Sequence, residues 1–226
     1  MKRFWQTVSI EGGEVMLDGR PVRTPGRVPL AVPYPSLAGA IADEWRAVSG
    51  EIDPRAMPLT GLANAAIDRI APDPGAFAEG LARYVESDLL CYRADGPAAL
   101  VDRQHAAWDP LLDWARQRYD VHFEVTTGII HRAQPEATIA RLGEAVAARS
   151  PFELAGLSPI VTVTGSLVAA LALLEGAAEA NAVWQAAQID EDWQIERWGE
   201  DSLASAARDA HRADFDAGAR FLALLR

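Results

Sequence analysis

The sequence predicts an α+β protein: a small N-terminal domain of antiparallel sheet and helices over residues 1–70, then a larger, mostly α-helical domain over residues 71–226. Strand-like alternation of apolar and polar residues is confined to the first stretch, in RFWQTVSIE and EVMLDGRPVRTP. Beyond Pro72 the apolar residues recur at helical spacing almost without interruption. The charge divides in the same way: residues 1–55 balance seven basic groups against seven acidic ones, so the net −11 falls entirely in residues 56–226.

The alternation places a sheet over about residues 3–32, with Gly12-Gly13 and Asp18-Gly19 as turn formers. Pro33 and Pro35 end it, and Ser36 is placed to cap a helix in which Leu37, Ile41 and Trp45 share a face. A second helix starts after Pro58, with Leu62, Ala66 and Ile70 along one side. Further helices are expected over Pro74–Ser87, Ala98–Tyr119, Pro135–Arg149, Pro151–Gly176, Ala177–Arg197 and Asp201–Leu225, with short strands at Leu89–Tyr92 and Val121–Val125.

An acidic chain of pI about 4.8 lacks the basic face that nucleic acid or an anionic membrane requires. The longest apolar run, SLVAALALL, is too short to span a bilayer. Cys91 is the only cysteine, which excludes an intrachain disulfide and a multi-thiolate metal site. The first residues show neither a signal-peptide core nor a presequence, so a bacterial cytoplasmic protein, or a trimmed mature form, is expected; the chain is expected to be a monomer.

Motifs for catalysis are sparse. There is no Gly-x-Ser-x-Gly elbow, phosphate loop or dinucleotide fingerprint. Within VDRQHAAWDPLLDWARQRYD, the residues Asp102, His105, Asp109 and Asp113 fall within about 80° on one helix face. One imidazole with three carboxylates suits a hard divalent cation, as in a metal-dependent hydrolase. An amphipathic helix would instead turn the same residues to water, since Trp108, Leu112 and Trp114 lie away from them.

The densest chemistry is DEDWQIERWGED, Asp190 to Asp201, with six carboxylates, one arginine and two tryptophans. On a helix running unbroken from Ala177, the residues Trp184, Gln188, Glu191, Ile195 and Trp198 form one stripe about 80° wide, with Trp193 opposite. Glu191 then sits among apolar side chains, where a carboxylate must be paired internally, protonated or kept for a partner. Gly199 permits the left-handed turn that ends the helix, leaving Glu200 and Asp201 to cap the next.

LDGRPVRTP (Leu17–Pro25), EWRAVSGEIDPRAMPLTGLANAAID (Glu44–Asp68), ESDLLCYRA (Glu86–Ala94), WDPLLDWA (Trp108–Ala115), TGSLVAALA (Thr164–Ala172) and DEDWQIERWGED resemble, in order, the signature blocks of an ATP synthase assembly chaperone family. The resemblance spans about residues 4–201. It implies a non-enzymatic chaperone without cofactor or metal, found in bacteria and, in eukaryotic relatives, in the mitochondrial matrix. Its partner would be the unassembled alpha subunit of the F-type ATPase catalytic sector, kept from aggregating until the beta subunit replaces the chaperone. Glu191, Gln194, Trp198 and Gly199 match the family's E-x-x-Q-x-x-x-W-G element. On that reading Glu191, Gln194 and Trp198, with Asp192 beside them, would bind the partner. Trp45, in the E-W element, and Gly199 would be structural.

Overall fold

Paired residues of positive φ create the N-terminal sheet. Strand β1 (Val8–Glu11) turns through Gly12 and Gly13, at φ +59° and +88°, into β2 (Glu14–Leu17). Asp18 and Gly19, at +48° and +76°, turn it again into β3 (Arg20–Pro21). The order is β1-β2-β3, all antiparallel, with Val8 opposite Leu17 and Met16 opposite Pro21. The computed structural model describes residues 2–199 and 202–226.

Helix α1 (Pro35–Ala47) lies against this sheet and buries Leu37, Ile41 and Trp45. Its N-cap is Tyr34, not Ser36, because Pro35 already occupies the first helical position, where its missing N–H costs nothing. The Trp45 ring meets Trp5 edge to face at 5.3 Å. Its neighbour Glu44 reaches the start of α2 (Pro58–Ala65) and accepts the N–H groups of Leu59 and Thr60, both at 2.8 Å, and the Thr60 hydroxyl at 2.7 Å. A carboxylate therefore satisfies amides that helix geometry leaves unpaired. The two residues of the E-W pair thus do different work, one capping and one packing.

A π turn, Ala66–Ile70, continues α2. It presents Asp68 to the Thr24 hydroxyl at 2.6 Å and to the Gly26 N–H at 2.7 Å. A Cβ at Gly26 would lie 2.6 Å from that carboxylate, so a larger residue would have to displace the Asp68 side chain from these bonds. One apolar core runs through both halves of the chain, from Trp5 to Leu222, with Tyr34, Phe152 and Phe221 bridging them ring to ring.

The helical part comprises α3 (Pro74–Ala82), α4 (Ala98–Tyr119), α5 (Glu136–Ala147), α6 (Pro151–Thr164), α7 (Leu167–Leu174), α8 (Ala180–Ala187), α9 (Ile189–Trp198) and α10 (Ser202–Ala223). Two helices expected as continuous are broken. Gly165 at φ +67° ends α6, and the Ser166 hydroxyl caps α7 by accepting the Ala169 N–H, so Pro151–Gly176 is a pair. Gln188, at φ −99° and ψ 4°, separates α8 from α9. Of the expected strands, Leu89–Tyr92 is cut back to β4 (Tyr92–Arg93), because Leu89–Cys91 forms a 3-10 turn, and Val121–Val125 is not a strand; β4 pairs in parallel instead with β5 (Thr126–Thr127), just beyond it.

Two carboxylates, one partly and one wholly buried, organise these helices. Glu175, after α7, accepts from Arg118 at 2.5 Å, Tyr119 at 2.9 Å and Arg149 at 2.6 Å. Burial raises its pKa, and these three donors outweigh that and hold it below the ordinary value. Asp88 is wholly buried between the 3-10 turn and α7, accepting the N–H groups of Leu90 and Val168.

Two outcomes are expected. Trp45→Arg places a charge against Trp5 in a site only 9% exposed, and should cost at least about 3 kcal/mol, measured by denaturant unfolding. For Asp88, desolvation pushes the carboxyl from 3.8 up to about 6 despite its N–H donors. The folded state therefore binds the proton first, so this group's stabilisation is complete below the unfolded pKa and is lost as pH rises through the folded one. Its carboxyl carbon resonance should titrate near pH 6. An inflection below pH 4 would show that the donors outweigh burial.

Candidate partner-docking surface

The break at Gln188 resets the phase of everything after it. Residues Trp184 and Gln188 are buried, but α9 no longer extends their stripe. Instead, Trp193 is the buried aromatic of α9, at 8% exposure, and Trp198 is 78% exposed. The single stripe from Trp184 to Trp198 expected of a continuous helix is therefore corrected, and Trp193 belongs to the inner face. Two guanidinium groups lie over its ring, Arg103 at 4.9 Å and Arg197 at 4.5 Å.

Helix α9 is held on two sides. Toward α4, Asp190 accepts from the Gln104 amide at 2.6 Å, and Glu196 accepts both Arg103 nitrogens at 2.8 and 2.9 Å. At the α8–α9 junction the Trp108 indole donates to the Ala186 carbonyl at 2.7 Å. Toward α10, Asp192 pairs with Arg208. The Arg103 guanidinium holds the Glu196 carboxyl below its usual range. An exposed pair of this kind contributes little stability and chiefly fixes position.

The third side is open. Glu191, Gln194, Ile195 and Trp198 project within about 100° of one another on a helix. Glu191 and Ile195 are half-buried, and Gln194 and Trp198 are exposed. Among the described residues Glu191 has no hydrogen-bonding or ionic partner, the only carboxylate of α9 so placed. A glutamate at the third helical position often reaches back to the N-cap amide. Here the Gln188 N–H already donates to the Trp184 and Gln185 carbonyls, so that bond is not on offer. Gly199, at φ +83°, ends the helix and donates to the Ile195 carbonyl at 2.9 Å. Glu200 and Asp201, expected as caps of the following helix, lie outside the described residues.

The acidic band of α4 does not converge. Asp109 bridges His105 at 2.8 Å and the buried Arg93 at 2.7 Å, while Asp113 turns to Arg116 at 2.7 Å and Asp102 is exposed. Among the described residues no group of three or more His, Cys, Asp or Glu is arranged to hold a metal. Burial, reinforced by the nearby Asp88 charge, pushes the Cys91 thiol up to about 12, which removes it as a nucleophile at neutral pH. A groove of about 730 Å³ between α4 and α8–α9 is lined mainly by apolar residues such as Ala107, Pro110, Trp114 and Ile189, with Arg103 and Asp192 also on its wall.

Sequence reasoning passed over Gln104 and Arg103, which position α9. A signal for Gln104 existed: with Trp108, Leu112 and Ala115 it follows the i, i+4, i+8, i+11 spacing of the buried α4 stripe, where an amide must find partners.

The family model of the ATP12 chaperone protein matches residues 2–116. The crystal structure of Atp12 from Paracoccus denitrificans is 44% identical, covers 100% of this chain and 98% of its own, and superposes with a TM-score of 0.94. A point mutant of the same Atp12p gives the same values. A candidate chaperone from Agrobacterium tumefaciens is 41% identical, with 100% of this chain and 86% of that one covered and a TM-score of 0.92. With half the sequence matched by the family model and its whole length matched by close structural relatives, the chain belongs to the ATP12 chaperone protein family, which serves ATP synthase assembly and is not a family of enzymes.

Proposed function

We propose that this chaperone holds the unassembled alpha subunit of the ATP synthase catalytic sector, prevents its aggregation and yields it to the beta subunit. The docking surface is the open side of α9, formed by Glu191, Gln194 and Trp198, with Asp192 at its edge. The observation that carries this reading is the unpartnered Glu191 beside an exposed tryptophan on a helix whose other carboxylates are engaged. Aromatic anchors and fixed charges dominate the energetics of protein interfaces. An indole that is 78% exposed has no packing role in the free chain and gains most from being covered.

The surface suits temporary holding. Glu191 needs no internal bond to be broken before it meets a cationic group, so association is not slowed by rearrangement. One charge and one indole make an anchor that a larger complementary subunit surface can displace. We further propose that the chaperone acts as a monomer, in the bacterial cytoplasm.

Glu191→Gln keeps shape and removes charge, whereas Glu191→Lys reverses it. Both should leave unfolding free energy within about 0.5 kcal/mol of wild type, as surface substitutions do. Capture of purified alpha subunit should weaken about tenfold for Gln and about a hundredfold for Lys, with protection from aggregation failing in parallel. A Glu191→Lys protein that melts well below wild type, while its folded fraction captures the alpha subunit normally, would remove the docking role.

A further inference from the structure

The most exposed apolar side chains among the described residues are not all on α9. Ile129 is 98% exposed and Ile130 82%, with Val125 at 40% near the base of the same loop. Two adjacent β-branched side chains lie in water, and neither belongs to the apolar core.

The loop is clasped at its base. The Gln134 side chain, only 5% exposed, accepts the Glu124 N–H at 3.0 Å and donates to the Glu124 carbonyl at 2.9 Å. Beyond β5, Gly128 at φ +83° turns the chain and donates to the Arg93 carbonyl at 2.8 Å. The His131 ring meets the Tyr92 hydroxyl at 3.2 Å. The isoleucines therefore sit at the tip of a loop held at both ends.

Three hydrogen bonds in series connect this tip to the first turn of α9. Gly128 donates to the Arg93 carbonyl, the next residue Ala94 donates to the Gln104 amide oxygen at 2.8 Å, and the Gln104 nitrogen donates to Asp190. The loop and α9 thus flank the N-terminal half of α4.

We propose that Ile129 and Ile130 form an apolar finger that inserts into the same client as the α9 face: an apolar surface strip of the unassembled alpha subunit. This rests on the functional reading above. A membrane is the poorer occupant, because the chain carries a net charge of −11 and the neighbouring α9 is acidic, which opposes approach to anionic lipid.

The test compares wild type, Ile129→Asp/Ile130→Asp, Ile129→Ser/Ile130→Ser and the conservative Ile129→Val/Ile130→Val in the full-length chain. Readouts are capture of purified alpha subunit, melting temperature and sedimentation. Both polar pairs should melt as wild type and capture at least about tenfold more weakly, and the Val pair should capture normally. Agreement of the Ser pair with the Asp pair separates lost apolar contact from charge. Normal capture by both polar pairs overturns the finger alone. Failure of wild type to capture the alpha subunit overturns the functional reading and the finger together. A wild-type dimer that becomes monomeric in the polar pairs, with capture unchanged, assigns the tip to self-association and overturns the finger.

Discussion

The buried amide of Gln104 is the joint on which the placement of α9 depends. At 1% exposure it must satisfy both ends of its side chain, and it does so by accepting from the backbone after β4 and donating to Asp190 on α9. Losing either partner would leave a buried polar group unsatisfied, at a cost of about 1–3 kcal/mol. Loop, α4 and α9 are therefore positioned together. Trp108, one turn along the same helix face, adds its bond to the Ala186 carbonyl just before the break at Gln188.

Around that joint the charges of α9 are divided by function. Asp190, Asp192 and Glu196 are spent on holding the helix to Gln104, Arg208 and Arg103, and the exposed pairs contribute orientation more than stability. Glu191 is left unengaged because the amide it would ordinarily cap is already bonded. In the proposed complex, a helix already held in place on two sides would lose little entropy on docking.

Much of this was legible in the sequence, and the failures have separate physical causes. The N-terminal sheet and its turns follow from alternation and paired positive-φ positions, α4 runs over the residues its periodicity marks, and the Leu37, Ile41, Trp45 face is buried as spacing required. The breaks at Gly165 and Gln188 were not legible, because an apolar run such as SLVAALALL keeps helical spacing on both sides of a turn. One missed break was enough to exchange the environments of Trp193 and Trp198, since each was placed by counting residues from Ala177. The capping role of Glu44 and the reach of Gln104 to Asp190 are tertiary, joining residues 15 and 86 positions apart, and local pattern carries no record of such pairs. Exposure of Ile129 and Ile130 escaped for the opposite reason: apolar residues are read as core by default.

In the proposed complex α9 meets the client through its open side. Oxidative footprinting of the tryptophans tests this directly, because Trp198 is 78% exposed while Trp193, five residues earlier on the same helix, is 8% exposed. In the free chaperone Trp198 should oxidise readily and Trp193 slowly. In the complex with the alpha subunit Trp198 should become protected, with Trp193 unchanged. Oxidation of Trp198 at the same rate in the saturated complex as in the free protein would contradict the account.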